Sequence, residues 1–405
     1  MEVTPDLVRE AANQIAGHVI ATPTVPAPRL SALTGAEVYL KLENLQYTGS
    51  FKVRGALNKL LSLDAAARRR GVIAMSAGNH AQGVAFHCQR LGIPATIVMP
   101  KATPFTKVDR TAAMGAKVVL QGETLSEAAV FARGHAQTEQ LTFIHPYDDP
   151  LIIAGQGTVA LELLAAVPDL DMLVIPVGGG GLIGGCAIAA RAANAALRVI
   201  GVQAASYATM KRGAAPARGG STLAEGIAVK EPGALTRAII ERTVEDIVVA
   251  EEAMIERAVN LMVTDAKVTA EGAGAAPLAA LLCAPQLFRG KRVGLVVSGG
   301  NIDPRLIASI LTRGLLQDGR IARLRMEITD VPGMLARVAG AIAEAGGNVI
   351  EIYHHRLFQD VPVTRADLDI VLETRNRAHL DEIVGRIAAT GITVRVLENT
   401  AEASR

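Results

Sequence analysis

Along the first three quarters of the chain, short and nearly continuous apolar runs alternate with longer stretches whose apolar residues recur at helical spacing. The runs at 37–41, 71–75, 95–99, 117–120, 172–177, 198–202 and 291–297 are the strand candidates. Unbroken rather than alternating apolarity is what a parallel strand covered on both faces by helices requires. Helix starts are equally marked: Thr4-Pro5-Asp6 is a capped opening, and Leu7, Val8, Ala11, Ala12 and Ile15 make one apolar face. The pattern predicts an open α/β architecture with two parallel-sheet subdomains, in which ligands bind beyond the carboxyl ends of the strands.

Near Gln317-Asp318-Gly319-Arg320 the period changes. Leu324, Met326 and Ile328 alternate with Arg323, Arg325 and Glu327, as in a strand with one wet face. A helix over 333–345, strands at 348–355 and 365–373, a helix over 378–388 and a strand at 392–397 complete a ferredoxin-like βαββαβ order. Domains are therefore expected at 1–317 and 322–400, joined by a linker at 318–321.

Composition narrows the function classes. In 405 residues, Lys plus Arg number 41 against 39 Asp plus Glu, and the positive charges are scattered, so nothing resembles the basic stripe of a nucleic-acid binder. Arg68-Arg69-Arg70 ends an alanine-rich helix, where cations complement the dipole. Cys88, Cys186 and Cys283 are isolated, without disulfide density or metal-ligand spacing, and read as small core residues in a reducing compartment. No leader pattern or membrane-length apolar stretch is present, so a cytoplasmic protein is expected.

Four segments carry candidate chemistry. Thr48-Gly49-Ser50-Phe51-Lys52-Val53-Arg54-Gly55-Ala56 sets a lysine between a small-residue turn and a helix start. Its apolar neighbours disfavour the ammonium and leave an amine able to capture an aldehyde, although a surface lysine at a turn has the same spacing. The run at 174–177 feeds Gly178-Gly179-Gly180-Gly181-Leu182, whose bare amides and helix N-terminus suit a phosphate dianion. Gly179, Gly181 and Gly184 also satisfy G-x-G-x-x-G. The next strand, however, ends at Gln203 where a dinucleotide site needs an acidic residue, and no P-loop lysine follows. Ser76-Ala77-Gly78-Asn79-His80-Ala81-Gln82-Gly83 and Val296-Val297-Ser298-Gly299-Gly300-Asn301 are strand-to-glycine turns. Asp148-Asp149 is discounted as a carboxylate dyad, and His354-His355 reads as a solvated rim.

Lys41-Leu42-Glu43-Asn44 followed by Ser50-Phe51-Lys52-Val53-Arg54-Gly55-Ala56 resembles the lysine motif of the threonine/serine dehydratase group of pyridoxal-phosphate enzymes, of the tryptophan-synthase-beta type (fold type II). The other segments match that family in its order over about residues 1–315. The resemblance implies pyridoxal 5'-phosphate as cofactor, with Lys52 as its lysine and the base for the α-proton, and Phe51 beside it. It also implies that Gly178, Gly179, Gly180, Gly181 and Leu182 hold the phosphate, Asn79 meets the ring's phenolic oxygen and Ser298 meets the pyridine nitrogen. Ser76, Gly78, Asn79 and His80 then hold the substrate carboxylate. Ala270-Glu271-Gly272-Ala273-Gly274 resembles the family's Glu-x-x-Gly segment and makes Glu271 a second catalytic candidate, though a capping Glu fits the sequence equally. Ala77 stands where serine-racemising members carry a second Ser. No carboxylate follows 198–202 where some members bind a divalent cation, so no metal is expected.

Thr329-Asp330-Val331-Pro332-Gly333-Met334-Leu335 and Gly346-Gly347-Asn348-Val349 resemble an ACT domain, an amino-acid-sensing module, and this implies an effector near Asp330, Gly333 and Asn348. The resulting expectation is a threonine dehydratase that also takes serine, regulated by an amino acid and assembled as a homodimer or homotetramer. Threonine synthase, a hydroxyaspartate dehydratase, serine racemase and a non-catalytic amino-acid-responsive binding protein are the alternatives.

Overall fold

The computed structural model describes residues 1–213, 216–355 and 364–397. The chain divides into two compact units, Met1–Asp303 and Pro304–Arg405, and the helix Pro304–Gln317 belongs to the second.

The first unit holds two sheets. The larger runs β1 (Thr24–Pro26), β2 (Glu37–Leu42), β10 (Arg292–Val297), β7 (Met172–Pro176), β8 (Arg198–Ala204) and β9 (Asp246–Ala250) in spatial order. Only the pairing of β1 with β2 is antiparallel. The smaller is wholly parallel, in the order β5 (Lys117–Leu120), β4 (Ala95–Met99), β3 (Val72–Met75), β6 (Thr142–Phe143). Every apolar run named from the sequence is a strand. Three strands are additional: β1 and β6 are too short to show a period, and β9 is an edge strand defined by its pairing with β8. The N-terminal helix starts as expected, with Thr4 Oγ1 accepting from the Leu7 amide at 3.2 Å.

Glycines let three helices of this unit cross closely. A Cβ on Gly155 of the helix Pro150–Ala166 would lie 2.6 Å from the Gly55 Cα of the helix Lys52–Leu61. One on Gly185 of the helix Gly181–Ala193 would lie 2.1 Å from the Ile153 carbonyl oxygen. Cys88 and Cys186 are buried in these cores, but Cys283 is exposed, because it ends the helix Gly272–Cys283. No helix among the described residues is long and apolar enough to cross a membrane.

In the second unit β12 (Asn348–His355), β13 (Arg365–Glu373), β11 (Ile321–Thr329) and β14 (Val394–Val396) form one antiparallel sheet in that order. Leu324, Met326, Ile328, Leu368, Ile370 and Leu372 face the helices Met334–Glu344 and Arg377–Ala389. On the other face Asp369 is fully buried beneath Arg323 and Arg325, and Arg325 donates two bonds of 2.8 Å to it.

Candidate active site

The expected residues of the first unit converge where strand ends meet. Ser298 follows β10, Gly178 comes just after β7, and Ser76 follows β3, so both sheets present their carboxyl ends to the same region. The turn before the lysine is stitched to the end of β10. Ser50 bridges Gly299, the Phe51 amide donates to the Ser298 carbonyl at 3.1 Å, and the Gly300 amide donates to the Gly49 carbonyl at 2.9 Å.

Lys52 is the first residue of its helix. Its Nζ donates to the Pro146 carbonyl at 2.8 Å and lies 5.2 Å from the Phe51 ring centroid. Burial pulls its pKa down to about 8, while the charge of Glu271 pulls it back up. A substantial fraction is then neutral amine near pH 8, which is what nucleophilic capture of an aldehyde needs. Gly83 permits this placement, since a Cβ there would come 3.1 Å from the Lys52 carbonyl carbon.

Asn79 opens the helix Asn79–Leu91 and is fixed at both ends of its amide. Its Nδ2 donates to Glu271 Oε1 at 2.8 Å, and its Oδ1 accepts from Asn301 Nδ2 at 2.7 Å. Among the described residues one Asn79 N–H remains for another acceptor. Burial raises the Glu271 carboxyl to about 7, partly offset by the Asn79 bond. Gly299 makes room for it, because a Cβ there would lie 2.6 Å from Glu271 Oε1. Ser76 Oγ accepts from the Gly78 amide at 3.1 Å. The His80 ring is buried and turned to the Ile144 carbonyl at 3.0 Å, with burial taking its pKa to about 3, so it stays neutral.

The glycine turn is buried, and Gly180 adopts φ +93° as the cap of the helix Gly181–Ala193. Among the described residues, no acceptor is paired with the backbone N–H of Gly178, Gly179 or Gly180. The amides of Gly181 and Leu182 belong to the first helical turn and have no partner within the helix. Leu182 itself packs into the core of the larger sheet. Buried donors without acceptors are costly unless a ligand meets them. Near the lysine, the hydroxyls of Thr48 and Ser50 are likewise buried without a partner among the described residues.

Several contributors were not foreseen. Asn301 sits inside a quoted motif but had no assigned role, and it also donates to the Thr48 carbonyl at 2.7 Å. The discounted Asp148-Asp149 pair is structural: Asp149 caps the helix Pro150–Ala166 and pairs with Lys59 at 2.7 Å, while Asp148 accepts from the Thr236 amide at 3.0 Å. Gln203, at the point where a dinucleotide site would need an acidic residue, is fully buried. It binds the turn that follows it, donating to the Tyr207 carbonyl at 3.0 Å and accepting from the Met210 amide at 2.9 Å. No group of three or more His, Cys, Asp or Glu among the described residues could hold a metal ion.

Residues 15–299 match the family described as pyridoxal-phosphate dependent enzyme. The chain belongs to that family. Residues 322–391 match the ACT domain. A curated relative, L-threonine ammonia-lyase of Thermotoga maritima, is 43% identical over 98% of this chain and 100% of its own. Among solved structures, a threonine deaminase from T.th. has a TM-score of 0.69 at 37% identity, covering 74% of this chain and 99% of that one. Serine racemase from Dictyostelium discoideum has the same score at 32% identity, covering 74% and 99%.

The residues present fit pyridoxal phosphate. A lysine amine depressed towards neutrality is available for the aldehyde, and a turn of acceptor-free amides at a helix N-terminus is available for the phosphate. In the second unit, Asp330 and Gly333 share the turn after β11, and the Asp330 amide donates to the Thr364 carbonyl at 3.0 Å. Gly333 caps the next helix at φ +89°, and Asn348 opens β12.

Proposed function

We propose that this protein converts L-threonine to 2-oxobutanoate and ammonia, and takes L-serine to pyruvate at the same site. The observation that carries the reading is Lys52: a half-buried amine with a pKa near 8, held between the Pro146 carbonyl and the field of the Glu271–Asn79 pair. Full-length similarity to an L-threonine ammonia-lyase supports the choice of substrate.

Bound there, pyridoxal phosphate supplies an aldehyde that captures amines and a conjugated ring that withdraws charge from the substrate α-carbon. In this reading the amides of Gly178 to Leu182 would hold the phosphate, Ser298 would face the pyridine nitrogen, and the second Asn79 N–H would serve the phenolic oxygen. Ser76 and the first-turn amides of Asn79 and His80 would hold the substrate carboxylate, joined by the Gly78 amide once it gives up Ser76 Oγ; the His80 ring, committed to Ile144, takes no part. Lys52 accepts the α-proton, and Glu271, with a pKa near 7, exchanges protons at physiological pH beside it. The ACT unit binds an amino-acid effector near Asp330, Gly333 and Asn348, and the protein is a homodimer or homotetramer.

The test is a substrate panel of L-threonine, L-serine and threo-3-hydroxyaspartate, with oxo acid, ammonia and D-serine measured, run on the parent protein and on Lys52→Ala. Oxo-acid release from threonine is expected from the parent alone. Equal release by Lys52→Ala refutes the assignment of the lysine, and a preference for hydroxyaspartate or formation of D-serine refutes the substrate reading. Threonine kinetics unchanged by isoleucine, valine and the other amino acids remove the regulatory claim, and a monomer in sedimentation removes the assembly.

A further inference from the structure

Thr236 lies outside every motif, on the helix Ala234–Thr243, and is fully buried. Its hydroxyl donates to the Gly179 carbonyl at 2.7 Å, a shorter contact than the 3.1 Å to Gly233 within its own helix. In a trans peptide the carbonyl and the following N–H point in opposite directions. Anchoring the Gly179 carbonyl on Thr236 therefore turns the Gly180 N–H away from that helix. That N–H is one of the buried amides without an acceptor among the described residues.

A peptide unit flanked by two glycines has little intrinsic resistance to flipping, because no Cβ restricts either side. Something outside the loop has to select its orientation. Tyr147 restricts the loop sterically, since a Cβ on Gly179 would fall 2.2 Å from its ring, but a ring cannot distinguish the two peptide orientations by hydrogen bonding. Thr236 can. It is itself seated by Asp148 Oδ1, which accepts its amide and lies 2.1 Å from where a Gly233 Cβ would be. Asp148 stands two residues beyond Pro146, whose carbonyl receives Lys52, so one short loop connects the lysine to the glycine turn.

We propose that Thr236 is a positioning residue for phosphate binding: its hydroxyl fixes the Gly179–Gly180 peptide so that the Gly180 N–H is presented to the cofactor's phosphate. The proposal rests on the reading of the glycine turn as the phosphate cradle. Apoprotein of the parent, Thr236→Val, Thr236→Ser and Gly179→Ala is titrated with pyridoxal phosphate and with pyridoxal, which lacks the phosphate, and folding is followed by circular dichroism. Thr236→Val keeps the shape and loses the donor. It should bind pyridoxal phosphate about tenfold more weakly and pyridoxal as the parent does, with Thr236→Ser close to the parent. Unchanged affinity of Thr236→Val for pyridoxal phosphate, or an equal loss for both compounds, overturns the proposal. Retention of pyridoxal phosphate affinity by folded Gly179→Ala overturns the cradle reading itself, whereas its loss there without loss in Thr236→Val removes only the role of Thr236.

Discussion

Arg54 is two residues beyond Lys52, fully buried, and paired with two carboxylates. Its Nε and Nη2 donate to the two oxygens of Glu43 at 2.8 Å each, and its Nη1 and Nη2 reach Glu162 at 2.6 and 2.8 Å. Although burial opposes the charge, Glu43 and Glu162 together hold the guanidinium well above its ordinary pKa. Lys41, also buried, pairs with Glu162, so the four groups sum to zero charge. Arg54→Met removes one cation and strands Glu43, which is 0% exposed and keeps only the Thr22 hydroxyl as a side-chain donor among the described residues. Breaking a buried pair in this way costs about 3–5 kcal/mol. At a few degrees per kcal/mol for a unit of this size, that is a fall in Tm on the order of 10 °C. Adding Glu43→Gln removes the stranded charge and should recover much of the loss. Thermal melts of the holoenzyme by circular dichroism, with both variants at equal concentration, make the check. The reasoning fails if Arg54→Met melts with the parent, or if the double variant melts no higher than the single one.

Adjacent glycines should respond with opposite sign. Ala at Gly185 meets the Ile153 carbonyl and the Gly157 amide, backbone atoms that cannot yield, and should cost about 2 kcal/mol or more in urea unfolding. Ala at Gly184 finds its nearest neighbour, Ile239 Cγ2, at 3.5 Å and should gain up to about 1 kcal/mol from helix propensity; equal effects at both positions contradict the close crossing. Glu271 gives a pH dependence. Burial raises its pKa from 4.5 to about 7, so the folded apoprotein keeps a proton that the unfolded chain has lost. It costs nothing below pH 4.5, and the cost grows to roughly 3 kcal/mol as the pH rises to 7. Lys52, depressed to about 8, is protonated in the folded parent throughout that window and adds no slope there. Relative to Glu271→Gln, the parent should therefore lose stability from pH 4.5 to 7, and a difference that stays constant with pH excludes a raised carboxyl.

Legibility in the sequence followed local period and covalent neighbourhood. β13 is Arg365–Glu373, the span expected from the sequence, because Leu368, Ile370 and Leu372 mark a buried face within the strand itself. β6 could not be marked, since two residues have no period and only pairing with β3 makes them a strand. Lys52, the glycine turn and Ser298 stand out because each sits in a segment of unusual composition. Thr236 and the Pro146 carbonyl do not, and Asn301, although it shares the Ser298 segment, takes its role from Asn79 and Thr48, far away in the chain.

The sequence by itself determined two architectures, the lysine at a helix start and the run of glycines, because helical and strand periods and glycine's missing Cβ are local properties. The tertiary structure alone decided what surrounds them. It half-buried Lys52, which pulls an ordinary ammonium down to a pKa of about 8, and brought Glu271 near enough to oppose part of that fall. It also turned Asp148 from a possible acid into the seat of Thr236, and aimed Thr236 at Gly179. Desolvation and hydrogen-bond direction depend on which chain segments meet, and that is settled only when the sheets and helices pack.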